Sequence, residues 1–157
     1  MFSQTVEYAL RAMATLASHP DNQFCPAPRI AEVAQIPASY LSKVLKHLVD
    51  AGLLRGQRGP GGGFMLRRPA SEISIWDVVE AVDPIRRIKT CPLDLGAHKT
   101  NLCPLHRKLD NVLADMEKAF KEATLSEMMN QPGYPQPLCD FVNSTPAPAV
   151  EGRTPLA

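Results

Sequence analysis

Apolar residues recur at helical spacing in separate runs along the first half of the chain. Val6, Leu10, Met13, Ala14 and Ala17 share one face of a stretch from Ser3 to Ser18, and His19-Pro20-Asp21 stops it. Ile30, Val33 and Ala34 mark a short helix over Arg29 to Ala34, and Gln35-Ile36-Pro37 reads as a turn. From Ala38, Leu41, Val44, Leu45 and Leu48 define a second helix whose other faces carry Ser39, Ser42, Lys43, Lys46 and His47. Gly52 suits the left-handed residue that closes a helix. Leu53 and Leu54 then start a short strand, and Gly59-Pro60-Gly61-Gly62-Gly63 makes a hairpin tip with almost no side chains. Helix, turn, helix and hairpin in this order predict a winged helix-turn-helix, mainly α with a small β-hairpin wing.

The second half continues in helices. Ser74-Ile75-Trp76-Asp77 opens one in which Ile75, Val78, Val79 and Val82 face inward, with Trp76 as a packing residue, and Asp83-Pro84 ends it. From Pro104 onward Leu105, Leu109, Val112, Leu113, Met116 and Phe120 form the stripe of a long amphipathic helix. That stripe needs a covering surface. Pairing with a second copy is the economical choice, because two-fold protein symmetry matches a palindromic duplex site; folding back on its own domain is the alternative. Beyond Asn130 proline-rich, weakly apolar sequence predicts a disordered tail. The expected organisation is a winged domain over 1–84, a sensor loop over 85–102, a dimerisation helix over 103–130 and a tail over 131–157.

Composition alone says little, since the net charge is only +1. Its distribution says more. Between Ser39 and Arg68 the basic residues are Lys43, Lys46, Arg55, Arg58, Arg67 and Arg68, against the single acid Asp50. Phosphate contact dominates sequence-independent DNA affinity, so this local patch points to double-stranded DNA as the partner. No apolar run is long enough for a membrane span, and the first residues lack the pattern of a secretory signal, so a cytoplasmic protein is expected. Catalysis finds no support: Gly59 to Gly63 lack the lysine and hydroxyl of a phosphate-binding loop, and Asp77 and Glu80 sit on an ordinary helix surface.

The chain has four cysteines, and in a reducing compartment free thiols or metal ligands are favoured over structural disulfides. Cys25 and Cys139 read as incidental thiols. Cys91 and Cys103 differ from these, because each opens the tripeptide Cys-Pro-Leu. Proline favours the first helical position, which places each sulfur at a helix N-terminus, where negative charge is stabilised and the metal-binding thiolate is favoured. His106 follows Cys103 by about one helical turn.

The runs V-E-Y-A-L-R-A-M from Val6, P-A-S-Y-L-S-K-V-L-K-H-L-V-D-A-G-L-L from Pro37 and R-G-P-G-G-G-F-M-L from Arg58 resemble the bacterial winged-helix regulators that include IscR, NsrR and RirA. The resemblance extends from about Phe2 to Met129. It implies a dimer on a palindromic operator, with Ser39, Tyr40, Ser42, Lys43 and Lys46 facing the major groove or phosphates, and Arg58, Gly59, Pro60 and Gly61 in the wing. It also implies an iron-sulfur cluster, commonly of the two-iron (2Fe-2S) form, held by three cysteines. Here Cys91 and Cys103 match the outer two and His106 the accompanying histidine, but Ala97 stands at the middle position. Glu7 matches an acid that some members lend from the partner subunit, and His98 is another substitute. Three readings stay open: a cluster sensor of iron, nitric oxide or redox state, a thiol-disulfide switch without metal, and a constitutive DNA-binding or protein-interaction module.

Overall fold

Helix α1 (Gln4–Ala17) is central in the computed structural model, which describes residues 2–20, 23–91, 101–135 and 137. The Ser3 hydroxyl accepts from the Val6 N–H and caps its start. The helix touches α2 (Ala27–Ala34), α3 (Ala38–Asp50), the wing and two later helices, so it buries more than one stripe. Tyr8, Ala9, Ala12 and Leu16 are buried together with Val6, Met13 and Ala14, whereas the expected inward residues Leu10 and Ala17 are only half-buried. Alanines on several faces let the neighbouring elements approach closely. In α2 and α3 the buried residues are those the periodicity predicts: Ile30, Val33 and Ala34, then Leu41, Val44, Leu45 and Leu48.

Gly52, at φ +74°, closes α3. Its N–H reaches the Val49 carbonyl at 2.9 Å and the Leu53 N–H reaches Leu48 at 3.0 Å, which is the Schellman arrangement. Leu53 is therefore the buried apolar residue of the cap and not the first strand residue. Strand β1 (Leu54–Gln57) pairs antiparallel with β2 (Gly63–Leu66), Leu54 opposite Leu66 and Gln57 opposite Gly63.

Cys25 braces this hairpin. It exchanges both backbone hydrogen bonds with Phe64, each at 2.9 Å, and its buried thiol is pushed above its ordinary range by desolvation, with Arg29 opposing. Gly63 lies at φ +148°, and a Cβ there would meet the Cys25 carbonyl oxygen at 2.2 Å. Gly63→Ala is expected to cost about 2 kcal/mol through the strained backbone and the clash. Urea denaturation measures this; an unchanged midpoint would show that the Cys25 rung is dispensable.

After a turn of 3-10 helix, α4 (Ile75–Val82) starts with reciprocal Ser74 and Asp77 capping bonds, both 3.0 Å. Helix α5 (Pro104–Glu122) is the predicted long helix, with Cys103 as its N-cap. The region expected as one helix to Asn130 is divided: α5 ends at Glu122, and Thr124 caps a separate helix α6 (Leu125–Met129) with Glu127. The Leu125 N–H bonds to Ile73 at 2.8 Å and the Ile75 N–H to Ala123 at 2.9 Å, which returns the chain to the winged domain with Leu125 and Met129 buried. A second small cluster of Val6, Ile75 and Val79 takes in Ile85 and Phe120 and holds the C-terminal end of α5. The earlier part of α5 is uncovered: Leu105, Leu109 and Val112 are 65%, 48% and 56% exposed.

Candidate nucleic-acid interface and cysteine loop

The apolar face of α3 is fixed against α1 and α2, which turns Ser39, Tyr40, Ser42, Lys43 and Lys46 outward, and all five are exposed. Tyr40 is 52% exposed, with its ring edge-on to Tyr8 at 5.9 Å between centroids. The Tyr8 hydroxyl in turn accepts from Gln4 Nε2 at 2.9 Å, and the Arg11 guanidinium lies 5.8 Å from the Tyr8 ring. The aromatic at the start of α3 is thus supported from below by α1. Ser42 donates to the Ala38 carbonyl at 3.1 Å, which leaves its oxygen lone pairs outward. Lys46 pairs with Asp50 at 2.5 Å, an exposed contact of little worth in water that a phosphate can replace.

In the wing Arg55, Arg58, Gly59, Pro60 and Gly61 are exposed. The Arg55 guanidinium lies 5.9 Å from the Phe24 ring, so its stem is braced while the charge stays in solvent. Arg67 and Arg68 extend the positive surface to the hairpin base, where Arg68 pairs with Asp77 at 3.2 Å. Every DNA-contact candidate named from the sequence is therefore on the surface.

The candidate metal ligands are less completely gathered. Cys103 is half-buried at the start of α5, with its Sγ 3.3 Å from His106 Nδ1. Cys91 is buried. Residues 92–100, with Ala97 and His98, lie outside the described residues, as do Cys139 and nearly all of the tail. Glu7 is exposed on α1 and ion-paired with Arg11 at 3.0 Å. Within one chain, no three His, Cys, Asp or Glu groups among the described residues come together as a metal site.

Sequence reasoning missed the groups that hold the segment before Cys91. Arg87 Nε and Nη2 grip the Asp110 carboxylate at 2.7 and 2.6 Å, and the Ile88 N–H donates to the same carboxylate at 2.9 Å. Glu117 lies 3.8 Å from Arg87 and 2.6 Å from Lys121. The Arg87 hydrogen bonds hold Asp110 below the usual carboxylate range, and Lys121 foremost does the same for Glu117. A separation of 23 positions leaves no local sequence signal for the pair.

An outward polar helix beside a basic, glycine-tipped hairpin defines a winged-helix DNA-binding protein. No helix among the described residues is long and apolar enough to cross a membrane. The chain belongs to the Rrf2 family of iron-dependent transcriptional regulators, which matches residues 2–131. It is similar to a protein of Aquifex aeolicus (strain VF5) named as an HTH-type transcriptional regulator, 32% identical over 133 residues, which cover 83% of this chain and 92% of that protein. Its fold is similar to that of T. potens IscR, with a TM-score of 0.68 at 23% identity over 87% of this chain and 93% of the other. The oxidized form of Staphylococcus aureus CymR is similar with a TM-score of 0.62 at 25% identity, covering 80% and 92%. The chain is a DNA-binding regulator of transcription and not an enzyme.

Proposed function

We propose that this regulator acts in the cytoplasm as a homodimer on a palindromic double-stranded operator, with each α3 in the major groove, each wing tip in the minor groove, and the chemical state of Cys91 and Cys103 setting the grip. One observation carries the reading: the same protomer presents an exposed cationic reading surface and, on α5, an uncovered apolar stripe. Two copies joined along Leu105, Leu109 and Val112 would set two reading surfaces at a fixed distance, as inverted half-sites require.

The sensing group in this reading is an iron-sulfur cluster of the two-iron form, in keeping with a family described as iron-dependent. Cys91, Cys103 and His106 would hold it together with the partner subunit's Glu7, and the contact between Cys103 and His106 supplies two of these donors from one helical turn. Bound there, it would supply a labile redox centre. Glu7 would join the other donors only in the dimer. A second reading is a thiol switch, favoured because the described residues of one chain gather no three-donor site and because an oxidized form of a similar regulator exists. In that reaction hydrogen peroxide takes the two S–H hydrogens, the Cys91–Cys103 disulfide forms, and two waters leave.

Anaerobic purification separates the two. The cluster predicts visible absorbance with iron and acid-labile sulfide, and Cys103→Ala loses all three while keeping the helical circular dichroism. A colourless protein, free of iron and sulfide even after anaerobic reconstitution, rejects the cluster. A peroxide-induced shift on a non-reducing gel, abolished by Cys91→Ser, then supports the disulfide. If neither appears, the sulfur-based reading is wrong.

A further inference from the structure

The segment from Asp83 to Cys91 leaves α4 and reaches the first sulfur without regular structure, yet it is held at two points. Ile85 packs with Phe120 on the cluster of Val6, Ile75 and Val79. Two residues on, Arg87 grips Asp110 through both of its fork nitrogens, and the Ile88 N–H adds a third bond to that carboxylate. Such bidentate, charge-assisted pairs are geometrically selective, and the Asp110 side chain is only 16% exposed, which limits screening by solvent.

What matters is where this clasp falls. Arg87 lies four residues before Cys91, and Asp110 lies seven after Cys103, about 10 Å along the axis of α5. The pair therefore ties the chain just before the first sulfur to the helix that begins at the second. Along the axis of α5, Asp110 is level with Leu109 and Val112, and its side chain sits on a neighbouring face, beside the uncovered apolar stripe. With Arg87 and Ile88 both fixed to Asp110, the segment before Cys91 does not slip along α5, so a displacement of that sulfur bears on the helix.

We infer that Arg87 is the positioning residue that couples the state of Cys91 and Cys103 to the seating of α5, and through α5 to the distance between the two reading heads. The inference rests on the sulfur-based reading above. It assigns Arg87 no contact with DNA or with the sensing group. The guanidinium fork is what matters, because a lysine carries the charge without the paired geometry.

The test compares DNA affinity of the full-length protein as isolated anaerobically and after hydrogen peroxide, which removes a cluster or joins two thiols with release of two waters. The wild type is expected to change affinity about tenfold or more between the two states, within the usual range of allosteric coupling. Arg87→Ala should bring the ratio within about twofold of unity while affinity as isolated and dimer assembly hold. Arg87→Lys should recover part of the ratio, and the exchange Arg87→Asp with Asp110→Arg should recover most of it; these variants decide the matter if Arg87→Ala does not fold. A wild-type ratio in folded Arg87→Ala overturns the inference and leaves the sulfur reading standing. A wild type indifferent to peroxide removes both.

Discussion

Replacing Lys43 and Arg58 together by alanine is expected to weaken operator binding about 1,000-fold at 0.15 M salt, as the counterion arithmetic of phosphate contacts gives. The two changes remove four cations from the proposed dimer. Each phosphate contact on duplex DNA contributes a slope of about 0.9 in log affinity against log salt, so four lost contacts lower the slope by about 3 to 4 and affinity by about three decades at that salt. Both side chains are exposed and neither belongs to α5, so fold and assembly should hold. Lys46 makes a poorer choice, since Asp50 already neutralises part of its charge. Titrating labelled duplex across a salt series measures the effect, and a slope equal to that of the wild type would mean that these cations do not face phosphate.

Leu109→Glu combined with Val112→Glu is expected to convert the proposed dimer to monomers at micromolar concentration. In one protomer both side chains are about half exposed, so burying them against a second copy is where their apolar surface gains. Burying the exposed half gains about half of the roughly 1.5 to 3 kcal/mol that full burial of such a side chain is worth, so four side chains across a two-fold interface account for roughly 3 to 6 kcal/mol, and the variant sets like charges opposite one another. Sedimentation should show the monomer with its thermal midpoint little changed, and affinity should fall toward that of a single half-site. A variant that stays dimeric would place the interface elsewhere.

The elements legible from the sequence are those whose signals are local. Leu41, Val44, Leu45 and Leu48 fix α3 by spacing, and Gly52 fixes its end because only a residue tolerant of positive φ closes that cap cheaply. The burial of Tyr8, Ala9, Ala12 and Leu16 was not legible, because a stripe implies one covered face and α1 is covered on several. Helix α6 was legible in principle, since Thr124 and Glu127 stand at capping-box spacing, but the apolar stripe of α5 runs almost without a break into Leu125 and hides the stop. For the site, exposure of the reading residues follows from amphipathicity. The Cys25–Phe64 rung and the Arg87–Asp110 clasp are long-range pairings that no periodicity within one element encodes.

Selection of bound duplexes from a random pool by the full-length protein, followed by footprinting, tests the central claim most directly. The account predicts enrichment of two inverted half-sites whose centres lie about one helical turn, roughly 34 Å, or a whole multiple of it apart, with major-groove protection at each half-site and minor-groove protection beside it. Recovery of unrelated sequences, or of one unpaired half-site bound by a monomer, would contradict it.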